Sequence, residues 1–392
     1  MIGLCLKYEQ INYGSKLQAL ATLRVMEEMG QECKVIHYGK AGLWFKIKSL
    51  PRIFDATFRQ DKLEDWSRSH AYKKHPEVAP LLAQRRKLFK EYDAKYFDKY
   101  EIFGAYYSDI QKMASKFDAV VTCSDQLWSP AGLGTNFYNL MFVPDEVKKI
   151  SFASSFGVSQ IPWYQRRATA EYLQRINYVS CRENRGAEIV KELTGRDVPV
   201  LMDPVFAFDK EQWDKLVPEE KVYNEPYIFC YFLGSNIAYR EAVKKFAKEK
   251  EMKIVFLKFL DQYVEYDENF GDITPFDVDP NKFLNILRGA EYVFTDSFHG
   301  CAFSILMEKQ FVIFNRYAAN SGASKNSRID TVCGNLGLNS RRVTANSDLV
   351  AVMDKEIDWK IVEETTLIYR DRMWEYLRQA LGLHLVKVNA GL

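Results

Sequence analysis

Long apolar runs are missing from this 392-residue chain, and so is any large excess of charge of either sign. No stretch approaches the roughly 20 consecutive apolar residues that a membrane-spanning helix needs. The formal net charge is +2, from 54 basic and 52 acidic residues, which gives no electrostatic footprint for nucleic acid. Histidine is scarce at five, and His37, His70, His75 and His384 share no ligand spacing, so no metal is expected. The seven cysteines (Cys5, Cys33, Cys123, Cys181, Cys230, Cys301 and Cys333) contain no CxxC pair. Their odd number and irregular spacing argue against a disulfide framework or a structural zinc site, and buried reduced thiols are expected. The opening Met1-Ile2-Gly3-Leu4-Cys5-Leu6 is short and leads directly into polar sequence, so no signal peptide is read there and a soluble, cytoplasmic protein is expected.

What is present is ordinary globular composition: 47% hydrophobic, 27% charged and 14% aromatic residues. The length exceeds what a single core usually supports, so two domains are expected. Met1 to Lys7 reads as a buried strand, Asn12-Tyr13-Gly14-Ser15 as a turn, and Leu17 to Met26 as a helix ended by Gly30. Glu32 to His37 is the next strand, a β-turn-α-β opening typical of a doubly wound α/β domain. From about Leu43 to Tyr107 the pattern is helical and charged, with few strand signals. Strands resume at Ala119 to Thr122, Lys149 to Ala153, Tyr178 to Ser180 and Val198 to Met202. Charges and prolines from Pro218 to Pro226 mark a boundary, after which strands at Tyr227 to Leu233, Ile254 to Leu257 and Phe311 to Phe314 alternate with helices at Ala238 to Lys250 and Asn281 to Arg288. The reading is a first domain over 1–217, a second over 226–357, and a helix and tail over 358–392 crossing back onto the first. Asp277-Val278-Asp279 looks like a metal-binding DxD, but Asp279-Pro280 before a helical pattern reads better as an N-cap with Pro at N1. Arg240 and Arg288 read as solvated surface charges.

The most informative stretch is Val293-Phe294-Thr295-Asp296-Ser297-Phe298-His299-Gly300. A strand stops at Asp-Ser, and His-Gly opens a helix from Cys301 to Glu308. Backbone N–H groups at such a start favour a phosphate or carboxylate, and an imidazole there can move a proton near neutral pH. A capping Asp-Ser with a packed histidine is the plain alternative.

A ladder of short segments accompanies it: Asn12-Tyr13-Gly14 with Leu17-Gln18-Ala19, Cys123-Ser124-Asp125-Gln126-Leu127-Trp128, Ile150 to Gly157, Ser180-Cys181-Arg182-Glu183, Leu201-Met202-Asp203-Pro204 and Thr295 to Gly300. In order and spacing the ladder resembles the polysaccharide pyruvyl transferase family. The resemblance implies two Rossmann-like domains facing across a cleft, as in GT-B glycosyltransferases. It also implies transfer of pyruvate from phosphoenolpyruvate to two hydroxyls of a sugar as a cyclic ketal, in bacterial surface-polysaccharide assembly, with no further cofactor.

That donor carries a phosphate and a carboxylate, so its site needs cations or N–H donors. Arg182, with its planar fork, and Arg328 are the expected clamps, with Arg316 less specific. Ser297, His299 and Gly300 form the helix start, and His299 is the expected general acid/base. Ser297 stands where part of the family carries an arginine, so one phosphate contact is expected from elsewhere, Arg328 or Lys325. The acceptor saccharide is expected at the first domain. There Asp125 would bind or deprotonate a hydroxyl, and Ser124, Gln126 and Trp128 would add hydrogen bonds and a stacking ring. Asn12, Tyr13 and Gly14 would lie at the same edge. The alternatives are that Ser124-Asp125 caps a helix or turn and Trp128 is core.

Leu43-Trp44-Phe45-Lys46-Ile47-Lys48-Ser49-Leu50-Pro51-Arg52-Ile53-Phe54 mixes aromatics with cations, which suits peripheral contact with the inner membrane face and a lipid-linked acceptor; packing onto the first domain is an equal alternative. Competing functions are a GT-B glycosyltransferase using a nucleotide sugar and a non-catalytic saccharide-binding relative. The acceptor sugar and the oligomeric state are not legible.

Overall fold

Short apolar runs separated by helical stretches are the pattern of parallel sheets covered on both faces, and the chain builds such a sheet twice. The computed structural model describes residues 1–39, 75–260, 263–316 and 326–383. In the first half, β1 (Ile2–Cys5), β2 (Cys33–Tyr38), β3 (Glu101–Gly104), β4 (Ala119–Cys123) and β5 (Lys148–Phe152) form a five-stranded sheet ordered β3-β2-β1-β4-β5. In the second, β6 (Tyr227–Tyr231), β7 (Lys253–Phe256), β8 (Tyr292–Thr295), β9 (Gln310–Phe314) and β10 (Arg342–Val343) are ordered β10-β9-β8-β6-β7. The pairings between these strands are parallel. Inner strands such as β1, β4 and β6 are buried at every residue, as a sheet covered on both faces demands.

The helices of the first half are α1 (Tyr13–Glu28), α2 (Ala79–Tyr96), α3 (Tyr107–Ala114), α4 (Arg166–Arg175), α5 (Asn184–Thr194) and α6 (Lys210–Leu216). Those of the second are α7 (Ile237–Glu249), α8 (Pro280–Gly289), α9 (Phe298–Leu306), α10 (Ser327–Asn335) and α11 (Leu349–Met353). Asp279 caps α8 by accepting from the Lys282 N–H at 2.7 Å, with Pro280 at its first position, so the DxD-like triplet is a helix start. The last helix, α12 (Trp359–Leu381), returns to the first half. There Tyr376 donates to the Ser151 carbonyl at 2.7 Å, and Arg370 and Trp374 donate to the carbonyls of Phe206 and Ala207 at 3.1 Å.

Three sequence expectations are corrected. The segment read as helical contains β3, whose Glu-Ile-Phe-Gly is half exposed and, among the described residues, pairs only with β2; a strand of four residues at the edge of the described sheet carries too weak a pattern to stand out. Arg240 is buried, paired with Asp267 and donating to the carbonyls of Asn236 and Gly234 at 3.2 and 3.0 Å. Arg288 is buried as well, 3.0 Å from Asp214 and 3.2 Å from the Val217 carbonyl. Each guanidinium is paired with an acid distant in sequence, which no local pattern announces.

The halves lock together beside the cleft. Arg85 of α2, 1% exposed, donates to the carbonyls of Lys258, Pro275 and Phe276 in the second half, at 2.7, 2.9 and 3.3 Å. Tyr13 stacks on Phe283 with ring centroids 4.9 Å apart and donates to the Val278 carbonyl at 3.2 Å. The stretch 43–54, with its expected membrane contact, and Lys325 lie outside the described residues. Among the described residues, no helix is long and apolar enough to cross a membrane.

Candidate functional site

Parallel sheets release their loops at the carboxyl ends of their strands, which is where ligands bind in such folds. At the end of β4 the chain turns through Ser124 and Asp125, both left-handed at φ 45° and 52°. Such a conformation costs non-glycine residues about 1 kcal/mol or more each and persists only where surrounding bonds impose it. Here Ser124 N–H donates to the Phe152 carbonyl at 2.8 Å, and Ser155 N–H to the Asp125 carbonyl at 3.0 Å. The turn aims the Asp125 carboxylate at the start of α1, where it accepts from the Ser15 hydroxyl at 3.1 Å. Its other oxygen accepts from Gln126 N–H at 2.7 Å. Burial works against its charge, but Lys7, Arg182, His299 and Arg328 together hold it below the usual carboxylate range.

Behind this turn lies a buried network centred on Asp203. Its Oδ2 accepts from the Ser124 hydroxyl at 2.7 Å and pairs with Arg182, which also donates to Ser124 Oγ at 3.1 Å. His299 Nε2 lies 3.6 Å from the same oxygen, beyond a normal hydrogen bond but well within ion-pair range. Burial alone would raise the Asp203 pKa; His299, Arg182 and Ser124 override it and hold the carboxyl well below its ordinary value. Next in sequence to Arg182, Glu183 shows the opposite balance. It is fully buried, accepts from Ser155 Oγ and Phe156 N–H at 3.0 and 3.1 Å, and burial outweighs the pull of Arg182 and Arg328, raising its pKa.

From the second half, β8 delivers Asp296, Ser297 and His299. Asp296 accepts from Leu233 and Gly234 N–H at 2.6 and 2.8 Å and so ties the end of β6. Ser297 caps α9, accepting from Gly300 N–H at 3.3 Å. Gly300 has no room for a side chain, since a Cβ would lie 2.5 Å from Thr295 Oγ1. The His299 ring lies against Gly14 of the other half, where a Cβ would come within 2.2 Å of the imidazole. Phe298 carries both guanidiniums on its ring, Arg182 at 4.7 Å and Arg328 at 5.6 Å from the centroid. Burial and the neighbouring Arg182 charge push the pKa of Arg328 down to about 10, so it stays cationic at neutral pH.

Several polar atoms here are buried without a hydrogen-bond partner: Arg182 Nε and Nη2, Arg328 Nε, His299 Nε2 and Glu183 Oε2. Four of them are nitrogens, drawn from both halves to the surroundings of Phe298 and Asp203.

The sequence model of the polysaccharide pyruvyl transferase family matches residues 12–316. The chain belongs to that family. The match runs from the Asn12 cap to Arg316 and so takes in both strand-end turns that meet at the site. No curated protein matches the chain. Among solved structures, the fold is similar to a UDP-GlcNAc 2-epimerase from Methanocaldococcus jannaschii, with TM-score 0.52, 11% identity and 95% and 99% of the two chains covered. It is also similar to a UDP-GlcNAc 2-epimerase from Neisseria meningitidis, with TM-score 0.50, 9% identity and 98% and 100% covered. At such identities the likeness speaks for the GT-B-like fold alone.

Within this pyruvyl transferase family member, Asp125, Ser124, Arg182, His299, Arg328 and Gly14 converge on the cleft. Other anticipated residues have structural occupations. Asn12 caps α1 through Ser15 N–H at 3.1 Å, and Tyr13 is buried between the halves. Trp128 is 5% exposed, its ring packed on Phe156 and Tyr172 and its Nε1 donating to the Tyr138 carbonyl at 3.3 Å, so its faces are core rather than a stacking platform. The Gln126 side chain packs against Gly157, where an added Cβ would meet it at 2.7 Å. Arg316 faces Asp296, offsetting part of the burial that raises that carboxyl's pKa. Sequence reasoning missed Lys7, Asp203 and Glu183 as members of the site. Asp203 and Glu183 stood in the quoted ladder and could have been read as partners for the adjacent cations; nothing local marked Lys7.

Proposed function

We propose that this chain transfers the pyruvyl group of phosphoenolpyruvate onto two hydroxyls of a saccharide, closing a cyclic ketal during surface-polysaccharide assembly. The observation that carries this reading is the group of buried, unpartnered nitrogens on Arg182, Arg328 and His299. A buried donor without an acceptor costs about 1–3 kcal/mol, so a site that gathers several is built to receive an anion. Lys7, Arg182 and Arg328 outweigh the ionised Asp125 and Asp203, which suits a donor bearing both phosphate and carboxylate.

In this scheme the methylene carbon of phosphoenolpyruvate takes a proton, leaving a cationic carbon that the first sugar hydroxyl attacks. The carbon–oxygen bond to phosphate then breaks with its electron pair leaving on phosphate, and the second hydroxyl closes the ring. Of the two hydroxyl protons lost, one balances the new methyl hydrogen and the other leaves with phosphate. His299, whose Nε2 lies beside the Asp203 carboxylate, moves a proton to carbon or to the departing phosphate. Asp203, held ionised beside it, stabilises the imidazolium. Arg182 and Arg328 bind the donor's anionic ends. Asp125 is too acidic for a strong base; it orients the acceptor hydroxyl and offsets charge on the oxocarbenium-like carbon. A lipid-linked acceptor at the inner membrane face would fit the aromatic and basic stretch 43–54.

Incubation of candidate saccharides with phosphoenolpyruvate, followed by mass spectrometry, tests the reading. The expected product is heavier by pyruvate minus water, with one inorganic phosphate released per ketal, and His299→Ala abolishes both without lowering the melting temperature. Consumption of a UDP- or GDP-sugar in place of phosphoenolpyruvate overturns it.

A further inference from the structure

A recess of about 560 Å³, part of it open to solvent, lies between the start of α2 and the loop that follows β7. Leu81, Phe259, Val264 and Phe276 give it apolar walls, and Glu77, Lys258 and Glu268 stand among its polar lining residues. Its wall is braced, because the carbonyls of Lys258 and Phe276 both receive the Arg85 guanidinium. Tyr263, also lining it, is held by a stack on His75 with ring centroids 4.1 Å apart. The recess is therefore a formed feature of the fold, with rings and carboxylates in place, rather than a gap between loose loops.

Its position relates it to the anion site. Phe256, the last residue of β7, is level with Cys230 of β6, and Tyr231 is level with Thr295, the last residue of β8. The loop bearing Phe259 thus leaves the same edge of the sheet as the turn bearing His299. The two are separated laterally by two strand spacings, about 10 Å. Its charge pattern selects the occupant. Lys258 is engaged by Glu268 at 2.9 Å, and Arg240 behind the floor is engaged by Asp267, while Glu77 adds a further carboxylate. A phosphate-bearing ligand would meet acids here; a neutral polyol would meet apolar ring faces for its C–H surface and carboxylates for its hydroxyls.

We propose that this recess is a saccharide subsite holding the acceptor sugar unit that neighbours the one receiving pyruvate; the inference rests on the pyruvyl-transfer reading above. It selects acceptors longer than one sugar, and the bound unit sets which hydroxyls face Asp125.

Saturation-transfer NMR on the full chain tests this with the α- and β-methyl glycosides of galactose, glucose, mannose and N-acetylglucosamine, and with UMP as a competing class. At least one glycoside should show transfer to the wild-type protein. Leu81→Trp, which fills the recess from a partly exposed helix position, should weaken that glycoside about tenfold or more, and Phe259→Ala should weaken it in the same direction. Stabilisation by phosphoenolpyruvate in thermal melts should be unchanged in both variants. No transfer from any glycoside, transfer that survives Leu81→Trp, or transfer from UMP that Leu81→Trp removes would each overturn the subsite. Absence of phosphoenolpyruvate stabilisation in the wild-type protein strikes instead at the transfer reading, because the glycoside signal is read without the donor.

Discussion

Each half of the molecule releases an aspartate at the carboxyl end of a parallel strand, and the two have opposite fates. Asp125, after β4, faces the cleft among Lys7, Arg182, His299 and Arg328 and is held below its ordinary pKa. Asp296, after β8, is buried; burial raises its pKa despite Arg316 and two backbone N–H donors, and its two oxygens tie the end of β6. The same residue type at similar places in two similar folds is thus left ionised at the cleft in one half, where our proposal gives it a chemical role, and serves architecture in the other. What separates them is the number of cations around the carboxylate and whether backbone N–H groups occupy both of its oxygens, as in Asp296, or one, as in Asp125.

Replacing each aspartate breaks the comparison most sharply. Asp125→Asn keeps the shape and removes the charge that offsets the oxocarbenium-like carbon, so ketal formation should fall about 100-fold or more while the melting temperature stays close to wild type. Asp296→Ala should do the reverse: loss of both acceptors costs about 1–3 kcal/mol, lowering the melting temperature, with activity of the remaining folded protein less affected. Initial rates together with thermal melts separate the two, and matching losses of stability would erase the distinction.

A second contrast concerns glycine. Gly14→Ala drives a methyl into the His299 ring, so we expect at least tenfold loss of turnover and a lower melting temperature. In α10 a Cβ on Gly334 meets nothing within 4 Å, so Gly334→Ala should be neutral or more stable by about 0.5 kcal/mol. A Gly14→Ala variant with wild-type kinetics would mean that the two halves do not close on each other during turnover.

The smallest effect is in acid stability, with opposite signs for two carboxylates. Asp203, with its folded pKa depressed, contributes stability that is fully present above the unfolded value of about 3.9 and fades as pH falls below it toward the folded value. Asp296, with its folded pKa raised, contributes most below about 3.9 and loses that contribution as pH rises through the folded value. Melts from pH 3 to 7 should therefore show the advantage of wild type over Asp203→Asn shrinking on acidification, and its balance against Asp296→Asn shifting toward wild type. Parallel curves for the two variants would contradict the assignments.

Much of this was legible because parallel α/β architecture writes itself locally. The buried runs at β1, β4, β6 and β8, the Asp279-Pro280 cap and the length of α12 all follow from period and capping chemistry. Gly14 was readable as part of the turn after the first strand, but not that His299 packs against it. Other features depend on pairings between distant segments. The role of Asp203 emerges only when Ser124, Arg182 and His299 arrive around it. Arg240 and Arg288 looked like surface charges because their partners, Asp267 and Asp214, carry no local signature. Trp128 had the composition of a sugar platform, yet Phe156 and Tyr172 cover its faces. Period and capping reveal elements, whereas the ionisation of a carboxylate and the exposure of a ring are set by neighbours that the fold supplies.

The central claim is that the guanidiniums flanking Phe298 wait for the anionic ends of phosphoenolpyruvate, and Arg328→Met tests it most directly. Arg328 is buried beside another arginine with an unpartnered nitrogen, so its loss should leave the ligand-free protein as stable as wild type or more so. Isothermal titration calorimetry with phosphoenolpyruvate should then show binding to the wild-type protein and about tenfold or greater weakening in the variant, the loss of a charge-assisted contact. Equal affinity in the two proteins, or no binding to the wild type, would contradict the account.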